Sequence, residues 1–356
     1  MEHIAAENAT PLDIDGSLGE GGGQILRTAL TLSAITGRAF VLRNIRARRP
    51  QPGLKPQHLR AIHAAAEICD ACYSEVTVGA LRLEFAPGAL KAGSYRFDIG
   101  TAGSTGLVLQ TVIPALAFAN GLSTLTVTGG THVPWSPSFH YLDWQWRPFL
   151  ERIGINFELA LERAGFYPPG GGEVHARIHP VEILRPLVLV ERGKLVRLHG
   201  VSGVAKLPLS IAERQRDRLL DRLRRLREFA EIQVESVPAL SAGTYLTLLA
   251  EFSRGRYCCT GLGARGKRAE TVADEVADDF DRFLASSGAV DEHLADQLVI
   301  PLALAGGESR VATARITQHL LTNVEIVRRF LDVAVDIEGS PGTAGILKLT
   351  GAGFRR

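Results

Sequence analysis

His319 stands in the stretch RITQHLLTN (Arg315 to Asn323), where an apolar run with strand character stops at Thr317 and an amphipathic segment begins. An imidazole at such a turn serves as a satisfied structural side chain, a metal ligand or a nucleophile. A metal site needs further ligands clustered with it, and the spacing around His319 supplies none. A neutral imidazole nitrogen is a competent nucleophile toward phosphorus. A helix beginning just there favours the neutral form and attracts the phosphate to be attacked.

Three other stretches carry residue types suited to anions. GSLGEGGGQILRTAL (Gly16 to Leu30) is a glycine run opening a helix, with a carboxylate at Glu20 and a cation at Arg27. It lacks the Gly-Lys-Ser/Thr of a nucleotide P-loop and the spacing of a dinucleotide fingerprint, so it reads as an anion-facing turn or a purely structural one. IRARRPQPGLKPQHLR (Ile45 to Arg60) gathers Arg46, Arg48, Arg49, Lys55 and Arg60 around prolines, with Gln57 and His58 where the next helix starts. Proline restrains the loop, and guanidinium forks match phosphate oxygens, so anion binding competes here with a solvated basic loop. DEHLADQL (Asp291 to Leu298) puts His293 and Asp296 on one helix face beside Gln297, a surface for a base or ribose and an oxygen ligand for a hard cation. A solvated helix start is the alternative. ERQRDRLLDRLRRLREF is a basic helix with a leucine stripe, Leu219, Leu220, Leu223 and Leu226. A solvated face with acidic i, i+4 partners is favoured there over contact with RNA.

The elements that position these groups follow from a repeat of roughly 80 residues. Gly19 to Ile45 lies opposite Gly103 to Gly129, with glycines 19, 22 and 37 facing 103, 106 and 121. Each copy reads as glycine turn, apolar helix, glycine stop and strand, then a second helix and two more strands, a βαβαββ unit. A third copy runs from Asp291 to the C-terminus, with no first strand evident. His319 then falls in a loop equivalent to Arg46–Gly53 and Gly130–Pro137. The expected fold is α/β (α+β): a large domain of residues 1–185 and 289–356, with a small α/β domain, residues 186–288, inserted before the third repeat.

Composition narrows the function classes. The chain has 356 residues, 46% hydrophobic, and a net charge of +2. That balance excludes a basic coat for nucleic acid but not a local patch. Four cysteines are too few for a disulfide scaffold, and Cys69 and Cys72, read as helical, are expected to pack in a core. No apolar run reaches the roughly 18 residues of a membrane span. Residues 1–11 read as a loose extension without signal-peptide character. A cytoplasmic setting with no membrane partner is expected; the oligomeric state is open, a homodimer being one option.

Together these stretches resemble the RNA 3′-terminal phosphate cyclase family. The resemblance rests on DGSLGEGGGQILRTALTLSAITG, IRARRPQPGLKPQHL, RFDIGTAGSTGLVLQTVIPAL, GGTHVPWSP, GFYPPGGGEV, EHLADQLVIPLALAGG and HLLTNVEIVRRFL, in family order over nearly the whole chain. It implies three βαβαββ repeats with an inserted domain, and a ligase that uses ATP with Mg2+ or Mn2+ on an RNA bearing a 3′-terminal phosphate. The implied product is a 2′,3′-cyclic phosphate, reached through a histidine–AMP adduct and an RNA-(3′)pp(5′)A intermediate, with release of AMP and pyrophosphate. By resemblance His319 is the nucleophile. Gln110, His293, Leu294, Ala295, Asp296 and Gln297 bind ATP. Arg27, Arg46, Arg49, Gln57 and His58 bind phosphates or the RNA end, and Glu20 and Asp296 bind the metal. Some family members carry tyrosine where this chain has His293; both rings stack on adenine. The family also includes cyclase-like proteins of ribosome assembly that lack the histidine, and its repeat is related to that of enolpyruvyl transferases.

Overall fold

A computed structural model describes residues 10–355. The expected N-terminal extension lies largely outside them. Three four-stranded sheets share one plan. In the first, β1 (Leu12–Asp15) runs parallel to β2 (Phe40–Arg43), β2 is antiparallel to β4 (Leu83–Ala86), and β4 is antiparallel to β3 (Cys72–Tyr73). The second has the same order and directions in β5 (Ser94–Asp98), β6 (Ser123–Gly129), β8 (Gly172–Ile178) and β7 (Phe157–Arg163). In the third, β9 (Val188–Leu189) is parallel to β14 (Gly306–Thr313), followed by antiparallel β16 (Gly345–Ala352) and β15 (Ala334–Glu338). The strand that the sequence does not reveal is therefore β9. Two residues are too short to show a period.

Helices connect these strands. α1 (Gln24–Thr36) and α2 (Pro56–Cys69) belong to the first sheet, and α3 (Thr105–Leu116) to the second. There α4 (Phe139–Tyr141) leads through a wide turn, Leu142–Trp146, into α5 (Arg147–Ile153). α1 ends where Gly37 takes φ 71°, its N–H donating to Ser33 O, a left-handed stop that other residues adopt only with strain. α2 opens on Pro56, whose missing N–H costs nothing at a first helical position.

A fourth sheet, β11 (Ala230–Ser236), β10 (Leu195–Ala205), β12 (Gly243–Phe252) and β13 (Arg256–Leu262), carries α6 (Leu209–Arg222) and α7 (Ala269–Ala285). Its apolar cluster, including Leu219, Leu248, Val276 and Phe280, is distinct from the one shared by the other sheets. The chain then forms α8 (Glu292–Gln297), α9 (Val299–Leu304) and, after β14, α10 (Gln318–Phe330).

Four local expectations change. The third copy's first helix is split at Leu298 into α8 and α9. His319 sits in the first turn of α10 rather than on the loop before it, because Thr317 caps the helix: its Oγ1 accepts the Leu320 N–H at 3.1 Å. Cys69 is buried, but Cys72 lies exposed on edge strand β3. The basic helix stops at Arg222, and its arginines pair mainly across to α7. Arg214 meets Glu270, Arg218 meets Asp274, and Arg222 meets Asp274 and Asp278, at 2.6 to 2.9 Å. Among the described residues no helix is long and apolar enough to cross a membrane.

Candidate active site

A cleft of about 1240 Å3 opens where the three repeated units meet the fourth sheet, with Gln110 and Tyr141 lining it from the second unit. Glu20, Arg27, Arg46, Arg49, Gln110, His293, Asp296, Gln297 and His319 line it together. Gln57, His58, Leu294 and Ala295 do not. Leu294 and Ala295 are fully buried on the inner face of α8. His58 lies behind the glycine run, its Nδ1 accepting the Lys55 N–H at 3.0 Å and its Nε2 where a Cβ on Gly23 would be 2.3 Å away.

The glycine run brings the two chain ends together. Gly19 has φ 54°, and a Cβ there would lie 2.1 Å from Thr322 Oγ1 on α10. This close approach sets Glu20 against the start of α10. Glu20 Oε2 is 3.4 Å from His319 Nε2 and accepts from Arg49 Nη2 at 3.1 Å. Behind them Asn323 clasps three helices. Its Oδ1 accepts from Thr28 Oγ1 at 2.7 Å, and its Nδ2 donates to Asp296 O at 2.9 Å. Thr322 donates to Gln318 O. The two Asn323 bonds fix α10 against α1 and α8.

Charge in the cleft is unevenly shared. Burial holds the His319 imidazole below its ordinary 6.5, with Arg27, His293 and Arg49 adding to the effect and Glu20 opposing it. The ring is therefore neutral at physiological pH. Arg27 is densely surrounded yet keeps a surface on the cleft. Burial lowers its guanidinium to about 10, Asp296 opposing, so it stays a cation. Asp296 is pushed well above the usual carboxylate range by burial and by Asp291, with Arg27 pulling it back. Arg46, its φ at 54°, donates to Gln51 O and Gly53 O at 3.0 Å, which fixes the arginine loop.

Several contributors escape a reading of the sequence. Asp291 is buried and caps α8, accepting from His293 N and Leu294 N at 2.9 and 3.1 Å; the Asp-Glu-His-Leu start is a recognisable cap signal. Tyr141 Oη donates to Gln297 Oε1 at 3.3 Å. Arg315 pairs with Glu292 at 2.6 Å on the wall. Cys258, Thr260, Asp279 and Arg282 reach the cleft from β13 and α7, and no local pattern announces that contact.

Among the described residues no group of three or more His, Cys, Asp or Glu forms a cage for a metal ion. Glu20 and Asp296 nevertheless both face the cleft. Mg2+ is commonly held by one or two carboxylates plus substrate phosphates, so this donor set fits such an ion.

Fold and cleft define a class: an α/β protein of repeated four-stranded sheets, with a neutral histidine set among arginines and carboxylates where they meet. Comparison with known proteins narrows it. The family model described as RNA 3′-terminal phosphate cyclase matches residues 18–337. A protein of that name from Staphylothermus marinus is 42% identical over 96% of this chain and 99% of its own length. One from Salmonella agona is 45% identical over 91% and 93%, and one from Thermococcus gammatolerans 44% over 95% and 97%. The chain belongs to the RNA 3′-terminal phosphate cyclase family. A solved enolpyruvyl transferase, NikO from Streptomyces tendae, aligns over 95% of this chain and 48% of its own. Its TM-score of 0.35 and 10% identity are too low to argue from.

Proposed function

We propose that the protein is an ATP-dependent RNA 3′-terminal phosphate cyclase with His319 as its nucleophile. The observation that carries this reading is a neutral imidazole 3.4 Å from Glu20, in one cleft with Arg27, Arg46 and Arg49. The imidazole nitrogen attacks the α-phosphorus of ATP, and pyrophosphate leaves. An oxygen of the RNA 3′-phosphate then attacks the same phosphorus and displaces His319, giving RNA-(3′)pp(5′)A. Finally the adjacent 2′-hydroxyl attacks the 3′-phosphorus, losing its proton, and AMP departs as the 2′,3′-cyclic phosphate closes. A phosphate monoester has no good leaving group for that last step; AMP provides one.

The chain's residues serve these steps by position and charge. Gln110, His293, Asp296 and Gln297 hold ATP, and Leu294 and Ala295, buried on the inner face of α8, hold that helix in place for it. Arg27, Arg46 and Arg49 neutralise its phosphates and the RNA end. Gln57 and His58 support the RNA end from the first turn of α2, His58 through the glycine run it packs against. Glu20 and Asp296 would hold Mg2+ or Mn2+, which supplies charge neutralisation at the phosphates. Residues 186–288 are proposed as an inserted domain and 1–185 with 289–356 as the main one; the separate apolar cluster of the fourth sheet supports this. Four free cysteines suit a reducing, cytoplasmic setting.

Incubation with α-labelled ATP and Mg2+ or Mn2+ is expected to yield an acid-labile protein-bound AMP, absent from H319A. With a short 3′-phosphate RNA, mass analysis should show loss of one water. An adduct retained in H319A, or unchanged RNA mass, overturns the assignment.

A further inference from the structure

We infer that Trp135 is a stacking platform for a nucleobase of the RNA strand beside its 3′-phosphate, an inference that rests on the cyclase reading above. Trp135 lines the same cleft as His319, Arg46 and Arg49, yet its relative exposure is 99%. It therefore stands at the mouth. A tryptophan so completely in water loses the burial that usually holds this side chain in place. Its backbone is also unusual. With φ 65° it occupies a left-handed position that tight turns normally give to glycine or asparagine. Strain of this kind persists only where the surroundings enforce it, and it concentrates at ligand sites.

The surroundings do enforce it. Pro134 precedes the residue and Pro137 follows closely. Thr131 N–H and His132 N–H both donate to Gly165 O, at 2.9 and 3.0 Å. Ser136 Oγ donates to Val133 O at 3.0 Å, and Ser138 Oγ lies 2.9 Å from Thr260 Oγ1 on β13. The loop is tied to both the second and fourth sheets, so the indole is presented on a rigid mount. The loop backbone therefore loses little further freedom on binding, and the ordering cost falls on the indole rotamer alone.

What such a ring recognises follows from its chemistry. An exposed indole offers a face, and every base has a matching face, so stacking there is tolerant of sequence. A substrate defined by a terminal phosphate rather than by its sequence needs this kind of contact. A strand that delivers its 3′-phosphate to His319 and the cleft arginines must cross the mouth, where Trp135 stands.

The chain has three tryptophans; Trp146 is buried and Trp144 half-buried, so Trp135 dominates the solvent-sensitive fluorescence. Short single-stranded RNAs of two unrelated sequences, each with a 3′-phosphate, are expected to quench that emission in the wild type, and the quench to vanish in W135A. The RNA concentration for half-maximal cyclisation should rise about tenfold in W135A and be partly restored in W135F, in line with the cost of losing one base–aromatic stack. Adduct formation with ATP alone is the discriminating control. If W135A instead needs more ATP to form the adduct, the ring holds adenine and the proposal falls. It falls also if RNA binding and half-maximal RNA concentration match the wild type. Quenching and RNA affinity lost in W135A, in a wild type that forms no adduct and no cyclic product, would sustain the stacking role and overturn the cyclase reading instead.

Discussion

A histidine attacks phosphorus only while its ring is unprotonated, so the pKa of His319 sets the working range of the proposed reaction. Burial and the charges of Arg27, His293 and Arg49 hold that pKa below 6.5. The sign is direct: above the lowered value the nucleophile is neutral, and protonation removes it only at more acid pH. The rate of adduct formation is expected to hold at neutral pH and to fall with an inflection below 6.5. Arg27→Ala removes one of the charges that depress His319, so the inflection of the normalised pH profile should move up toward 6.5. The same variant should lose about tenfold or more in absolute rate, because a phosphate-binding cation is gone. An unmoved inflection would mean that burial alone holds the ring neutral. At this scale the candidate residues were legible as types. Their pairing was not: nothing near Glu20 in sequence points to His319 or Arg49.

Glycines show how elements, rather than single side chains, build the site. Gly37 and Gly19 both adopt positive φ, 71° and 54°. A Cβ on Gly37 meets nothing within 4 Å, so Gly37→Ala carries only backbone strain, about 1 kcal/mol. A Cβ on Gly19 collides with Thr322 Oγ1, so Gly19→Ala must separate the glycine run from α10. We expect denaturant unfolding to show a loss of roughly 1–3 kcal/mol for Gly19→Ala, together with a sharp fall in adduct formation as Glu20 leaves His319. Gly37→Ala should keep normal adduct yield. Equal yields in the two variants would detach Glu20 from the chemistry. The sequence marked both glycines as turn formers. The pattern also separates the helix stop at Gly37 from the turn at Gly19; only packing shows that the turn at Gly19 is pressed against α10.

At the scale of the whole molecule, three histidines among the described residues are buried and neutral. Burial drives His58 to about 3, with Arg27, Arg46 and Lys55 adding to it. Burial takes His140 to about 4 and His132 well below its ordinary value, His132 also feeling His140. Each stays unprotonated when folded but binds a proton when unfolded below pH 6.5. Stability is therefore full above 6.5 and lost as pH falls toward these lowered values. The loss is up to about 1.4 kcal/mol per pH unit for each histidine. Unfolding free energies from urea titrations at pH 7 and pH 5.5 should differ by a few kcal/mol, and His58→Gln should reduce the difference. A midpoint independent of pH would place these rings in contact with water. The fourth sheet teaches the same lesson about charge. By its local composition the helix after Pro208 reads as basic, yet in the fold Arg214, Arg218 and Arg222 are matched by acids of α7. The sequence by itself determined the helices, most strands, the glycine and proline stops and the order of the motifs. These follow from periodicity and backbone conformation over a few neighbouring residues. Only the tertiary structure decided that β9 completes the third sheet, that α6 is neutralised by α7, and that Glu20 and His319, from opposite ends of the chain, meet at 3.4 Å. Such contacts depend on how sheets pack across long stretches of chain, and no local pattern encodes that distance.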